Sequence, residues 1–356
     1  MIGGVLAGGL PTNLSAIPSE IFDVCTPTNA TREVINVHQS STSKETWLAI
    51  DIIATFGLVT GSFSIDGHPL WVYAVDGAYI VPQLVEAITV TNGDRYSVLI
   101  KLDKQGKYRV RFASTTVAQM LAGYATLSYG HLGGAGEPTR NNTEPEAYIN
   151  DVGVNTTASV RFFDQLGMRS FPPDFVSSVA DQTFKLAMRV AGASYNWALN
   201  SSIYPMQLDN DEPLLFHPLP NEHNNVTIST LNNTWVDLIF VAVTSPMPPH
   251  PIHKHGNKMW LIGQGDGMFN YSSVAEAAAA IPEAFNLVDP PKRDGFATPP
   301  AITGPVWMAV RYQVTNPGAW FMHCHIQSHM LGGMSMAIQD GVDQWPAVPD
   351  EYLNYH

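Results

Sequence analysis

The chain has 356 residues, with 18 Lys and Arg against 31 Asp and Glu, for a formal net charge of −13. Nucleic acid and anionic membrane both require a basic face, so neither is expected as a partner. No apolar run reaches the ~18 residues of a membrane span, and the length suits two domains better than one small sandwich.

Residues 1–20 carry little periodic signal. Met1–Pro11 has no positive start, and glycines break its apolar stretch, so it does not read as a secretory signal peptide. Strand patterns begin with Glu33–Val37 and Trp47–Ala54, separated by Ser and Thr turn residues. Short apolar runs follow at 70–75, 85–91, 96–102, 107–113 and 124–129, broken by Asp-Gly, Asn-Gly and Gln-Gly turns. This spacing predicts a β-sandwich over residues 1–135. Gly, Pro, Asn and Thr then crowd together, which predicts a long surface connection over 136–180 with a short helix near 161–167. A second strand-rich domain is expected over 181–356, from Thr183–Val190, Trp197–Asn200, Val226–Ser229, Trp235–Val243 and Val306–Tyr312. One helix interrupts it, Ser272–Ala280, with a serine cap, high Ala propensity and Pro282 to end it. The fold class is therefore all-β.

Asn-x-Ser/Thr triplets begin at Asn13, Asn29, Asn141, Asn155, Asn200, Asn225, Asn232 and Asn270. One such triplet is noise, but this number in a chain of low charge favours a glycosylated, extracellular protein.

The chemistry concentrates at 320–334, Trp-Phe-Met-His-Cys-His-Ile-Gln-Ser-His-Met-Leu-Gly-Gly-Met. On a strand, alternate side chains face opposite ways. His323 and His325 then look to one side and Cys324 to the other, while Gly332 and Gly333 let His329 and Met334 return to the side of Cys324. A thiolate, an imidazole and a distant thioether are three ligands of a blue-copper site. Upstream, His250-Pro-Ile-His253-Lys-His255-Gly supplies histidines at a density that a core does not need. The upstream block alone would leave zinc as a rival; the thiolate with a nearby Met selects copper.

These two blocks resemble the multicopper oxidase family, and within it the laccases. Ser64-Ile-Asp-Gly-His-Pro-Leu70, Asp76-Gly77 and Gly93-Asp-Arg-Tyr-Ser97 resemble its middle domain, so the likeness covers nearly the whole chain. The resemblance implies two cupredoxin-like Greek-key β-sandwich domains. It makes His250, Cys324 and His329 the type 1 copper ligands with Met334 axial, His253 a type 2 ligand, and His255, His323 and His325 type 3 ligands. It implies an oxidase that takes single electrons from a phenolic or similar small reductant and reduces oxygen to water. Cys324, with His323 and His325, would be the electron relay.

Three departures from the family pattern, and the orphan Cys25, bear on that reading. Lys254 and Asn257 stand where the family commonly has Leu and a further His. No His-x-His pair exists outside 253–255 and 323–325, so four of the eight cluster histidines that the resemblance implies are absent. Cys25 has no partner once Cys324 holds metal, and the resemblance would pair it with a Cys of the family's first domain. The expectation is a laccase-like oxidase lacking that domain. A non-enzymatic blue-copper carrier is the alternative, and a cluster completed between subunits ranks last. Among the remaining histidines, His38 and His68 are expected to be structural, and His217, His223 and His356 solvated.

Overall fold

The computed structural model describes residues 6–7, 10–11, 31–39, 45–115, 121–131, 145–193, 195–220 and 223–353. They fall into two compact units, the first ending at Gln165 and the second comprising the chain from Leu166 onward together with the short strands Leu6–Ala7 and Leu10–Pro11. Cys25 and His356 lie outside the described residues, as do the side chains of His38 and His131.

In the first unit, one sheet runs in the order Val34–Gln39, Ala122–His131, Gly106–Ser114, Gly61–Ile65, Ile88–Val90. The other runs Trp47–Ile53, Arg95–Lys101, Leu70–Val75, Ala78–Val85. The last two strands close through Asp76 and Gly77, both at positive φ (49° and 76°), the backbone that a two-residue hairpin needs. Alternate residues are buried along Arg95–Lys101, and Ile65, Val72, Val98, Ile100 and Leu127 form part of the core. His68 is buried and structural: Nδ1 meets the Asp66 carbonyl at 2.9 Å and Nε2 the Tyr129 hydroxyl at 2.8 Å.

The segment expected as a surface connection differs in two ways. Tyr148, Ile149 and Val160 pack with Ala87 and Ala113 as a core cluster, and Met168 and Val176 are also buried. Residues 161–167 form no helix. The backbone of Arg161 accepts from Glu86 N (2.9 Å) and donates to Glu86 Oε2 (2.8 Å), and Phe162 bridges Ala87. A chain held this way against a strand is extended and cannot close helical hydrogen bonds.

The second unit contains a six-stranded and a five-stranded sheet. The first runs Trp197–Leu199, Gln182–Val190, Trp235–Ala242, Val306–Gln313, Met259–Asp266, Lys292–Arg293. Trp235–Ala242 is buried on both faces, so its sequence is apolar apart from Asp237, which accepts from Arg311 Nε at 2.6 Å. On one face Ile239 and Val241 meet Val176, Phe269, Val274 and Ala277, so the helix covers that side. The helix spans Val274–Ala280, and its cap is Ser273, whose side chain accepts from Glu276 N. The five-stranded sheet runs Thr227–Ser229, Ser335–Asp340, Gly318–Cys324, Pro251–Lys254, Gly295–Ala297. It carries both chemical blocks.

Candidate metal centre

Antiparallel pairing sets the site. Pro251–Lys254 lies beside Gly318–Cys324 in the register Ile252↔Cys324, His253↔His323, Lys254↔Met322. Partners directly opposite share a face of the sheet. Cys324, Ile252, Lys254 and Met322 therefore point one way, and all are at most 1% exposed. His253 and His323 point the other way. Two groups of donors result, on opposite sides of one pair of strands.

On the buried side, Cys324 Sγ lies 3.8 Å from His250 Nδ1 and 3.8 Å from His329 Nδ1. The two Nδ1 atoms are 3.2 Å apart. His250 is held where its strand begins: its N–H donates to Thr298 Oγ1, and its carbonyl accepts from Thr298 N, both at 3.0 Å. His329 comes back to the sulfur on a short helix, Gln327–Leu331, rather than on the glycine turn alone. Gly333 then takes φ 103°, and the chain returns so that Met334 O accepts from Cys324 N at 3.0 Å. Met334 is fully buried at that point. Trp197 closes the group, stacked on the His329 ring at 3.9 Å and edge-on to His250 at 5.2 Å.

Burial alone pushes the His250 imidazole down to about 4, and burial, opposed by a hydrogen bond from the Ile326 backbone, pushes the Cys324 thiol up to about 12. Burial, followed by the closeness of His250, holds His329 well below the usual histidine range. Both imidazoles are therefore uncharged at neutral pH and able to offer an Nδ1 lone pair to a metal ion. One thiol and two imidazoles at these separations suit a soft, single-sulfur copper site.

On the other side stand His253, His255, His323 and His325, with ring centroids 4.9–5.8 Å apart for the neighbouring pairs. His255 Nε2 approaches His323 Nε2 at 3.3 Å. The Nδ1 of His253 meets the Asp294 carbonyl at 2.8 Å, and that of His323 the Cys324 carbonyl at 3.0 Å. A carbonyl only accepts, so each Nδ1 carries the proton and each Nε2 keeps its lone pair for a metal. Burial, with smaller contributions from its histidine neighbours, lowers His323 to about 4. The group is more open than the first: His323 is buried, His253 and His325 are half-buried, and His255 is exposed.

The structure thus brings every histidine and the cysteine of the two blocks into one of two groups. His217 and His223 are exposed and far from both in their bonding: His217 meets Glu212 at 3.1 Å, and His223 accepts from Ser229 N at 3.3 Å. Sequence reasoning missed Trp197, the Asp294 carbonyl and the partner of Lys254, which is Asp340 at 2.6 Å. The only signal for the last was a lysine on the inward-facing side of a strand.

The chain is similar to known proteins in sequence and in fold. Two family models, both described as multicopper oxidase, match residues 27–132 and 196–344. The chain is 38% identical over 361 residues to multicopper oxidase elcG of Phaeosphaeria nodorum, covering 98% of this chain and 56% of that protein. It is 38% identical over 362 residues to laccase ustL of Ustilaginoidea virens, covering 96% and 53%. It therefore spans about half the length of the curated relatives it matches. Among solved structures, the laccase of Botrytis aclada superposes with a TM-score of 0.64 at 22% identity, over 90% of this chain and 55% of that one. Fet3p, a multicopper oxidase that functions in iron import, gives 0.66 at 18%, over 91% and 61%. These establish the cupredoxin-like fold of both units. The chain belongs to the multicopper oxidase family, and copper is its cofactor.

Proposed function

We propose that this chain is the type 1 copper half of a laccase-like oxidase. His250, Cys324 and His329 hold the type 1 ion with Met334 axial. His253 serves a type 2 ion, and His255, His323 and His325 serve a type 3 pair. The observation that carries this reading is the convergence of Cys324, His250 and His329, all buried, with donor atoms within 4.8 Å of one another. Copper, when bound, supplies one-electron acceptance from the reductant and the reduction of oxygen to water.

The chain's own part is to hold and to connect. Trp197 and the apolar surroundings keep water from the sulfur. The Cys324 side chain and its peptide bonds to His323 and His325 give a covalent path between the two groups of donors. The half-open histidine group offers four imidazoles, and a three-ion cluster in this family takes eight. The other four then come from polypeptide beyond this chain, and Cys25 would pair with a Cys there. Phenols are the proposed reductants. Secretion is proposed too, with Asn155, Asn225 and Asn270 exposed for glycosylation.

A second reading, a blue-copper electron carrier without oxidase activity, is favoured by one observation: the donors around the sulfur converge in a buried group, whereas the four-histidine group is partly exposed. Both are tested on purified, cupric-loaded protein by visible absorption, copper content and oxygen uptake with a diphenol. We expect one tightly held copper at the sulfur group with intense thiolate absorption, weaker copper binding at the four histidines, and no turnover. Oxygen uptake should follow when a longer polypeptide supplies two further His-x-His pairs; if that protein also stays inert, the carrier reading prevails. A full cluster and steady oxygen uptake by this chain alone would refute the proposed division of ligands.

A further inference from the structure

Lys254 lies in sequence between two of the four clustered histidines, yet its side chain runs into the opposite, buried face of the sheet. Its Nζ donates to Asp340 Oδ2 at 2.6 Å, to Asn257 Oδ1 at 3.0 Å and to the His255 carbonyl at 3.1 Å. An ammonium has three N–H donors, and all three are used. The nitrogen also sits 4.4 Å above the Tyr312 ring. Asp340 is anchored in turn: its other oxygen accepts from the Tyr312 hydroxyl at 2.8 Å and from Thr230 Oγ1 at 2.9 Å. Both charged side chains are 0% exposed. Two charges removed from water are costly, and an apolar pair would often be at least as stable, so stability is a weak account of them.

The tethered carbonyl belongs to His255, the exposed member of the histidine group, one residue past the end of its strand. The turn after it is tight. Gly256 has φ 81°, and a Cβ there would lie 2.5 Å from the Trp320 ring. Asn257 is fixed further by donating Nδ2 to the Gln313 carbonyl at 3.2 Å. One ammonium therefore pins the carbonyl on one side of Gly256 and the side chain on the other.

We propose that Lys254 is a positioning residue for His255, its ammonium, locked by Asp340, tethering the His255-Gly256-Asn257 turn from the face opposite the histidine group. The metal consequence rests on the copper reading above; the tether itself does not. Lys254→Met is the main test, with Asn257→Ala, which removes one anchor and leaves the ion pair intact, as the variant that keeps the fold. In metal-free protein, amide exchange at His255–Lys258 should rise about tenfold or more in Lys254→Met, with the Trp235–Ala242 strand unchanged. In copper-loaded protein, affinity at the histidine group should fall about tenfold to a hundredfold, as for other supporting contacts, while the thiolate absorption persists. Asn257→Ala should shift both in the same direction by less. Unchanged local exchange in both variants, or a rise spread evenly over the unit, overturns the tether. Copper absent from the four histidines of the parent chain overturns the copper reading instead, and the exchange result then decides the tether alone.

Discussion

The two donor groups differ in how they are closed. Around Cys324 the protein supplies a full wall: both imidazoles and the sulfur are buried, and Trp197 lies across them. Around His323 it supplies one wall only, with His255 exposed and His253 and His325 half-buried. The difference teaches where each site's specificity comes from. The sulfur group selects its ion by donor chemistry and dryness inside one unit. The histidine group fixes the tautomers of His253 and His323 through carbonyl partners and stays open on one side.

That contrast can be broken outright at the sulfur. Cys324→Ser should abolish the thiolate absorption completely while leaving copper at the four histidines, read by absorption and metal content together; loss of both would mean that the groups are not separable. Acid is next in size, because several imidazoles act together. His250 and His323 fall from 6.5 to about 4 on folding, so the unfolded chain takes up protons first. Stability of the metal-free protein is fully present above about pH 6.5 and should be lost progressively as pH falls towards about 4. Denaturant unfolding at stepped pH measures this, and a flat profile between those values would contradict the burial of both groups.

Two substitutions sharpen the comparison further. Trp197→Ala should cost about 3–5 kcal/mol of stability, as for other buried tryptophans. It should broaden or shift the thiolate absorption, with the histidine group's copper affinity untouched. Gly256→Ala should do the reverse at smaller cost, about 1–3 kcal/mol for a forced positive φ, and loosen only the histidine group.

Much of this was legible in the sequence because alternation is local. His-Cys-His on a strand dictates two faces before any fold is known, and the observed register of His253 with His323 obeys it. The closely spaced β patterns of the first unit were legible for the same reason. What could not be read depends on contacts between distant residues. Trp197 reaches His329 across 132 positions, since 329 − 197 = 132, and Lys254 reaches Asp340 across 86. Residues 145–165 carry turn-like composition, yet Tyr148 and Ile149 are buried against partners that only the folded sheet provides. His329 was expected on a turn, but a one-turn helix of five residues is too short to leave a periodic trace.

The register Ile252↔Cys324, His253↔His323 has a consequence for how such a protein can change. Sidedness here is a matter of odd and even. A one-residue insertion or deletion in either strand would turn imidazoles inward and the thiol outward, ruining both centres in a single event, whereas a two-residue change would keep each on its own side. Length variation should therefore be confined to the loops at either end, and a permitted change within the ribbon should come in pairs.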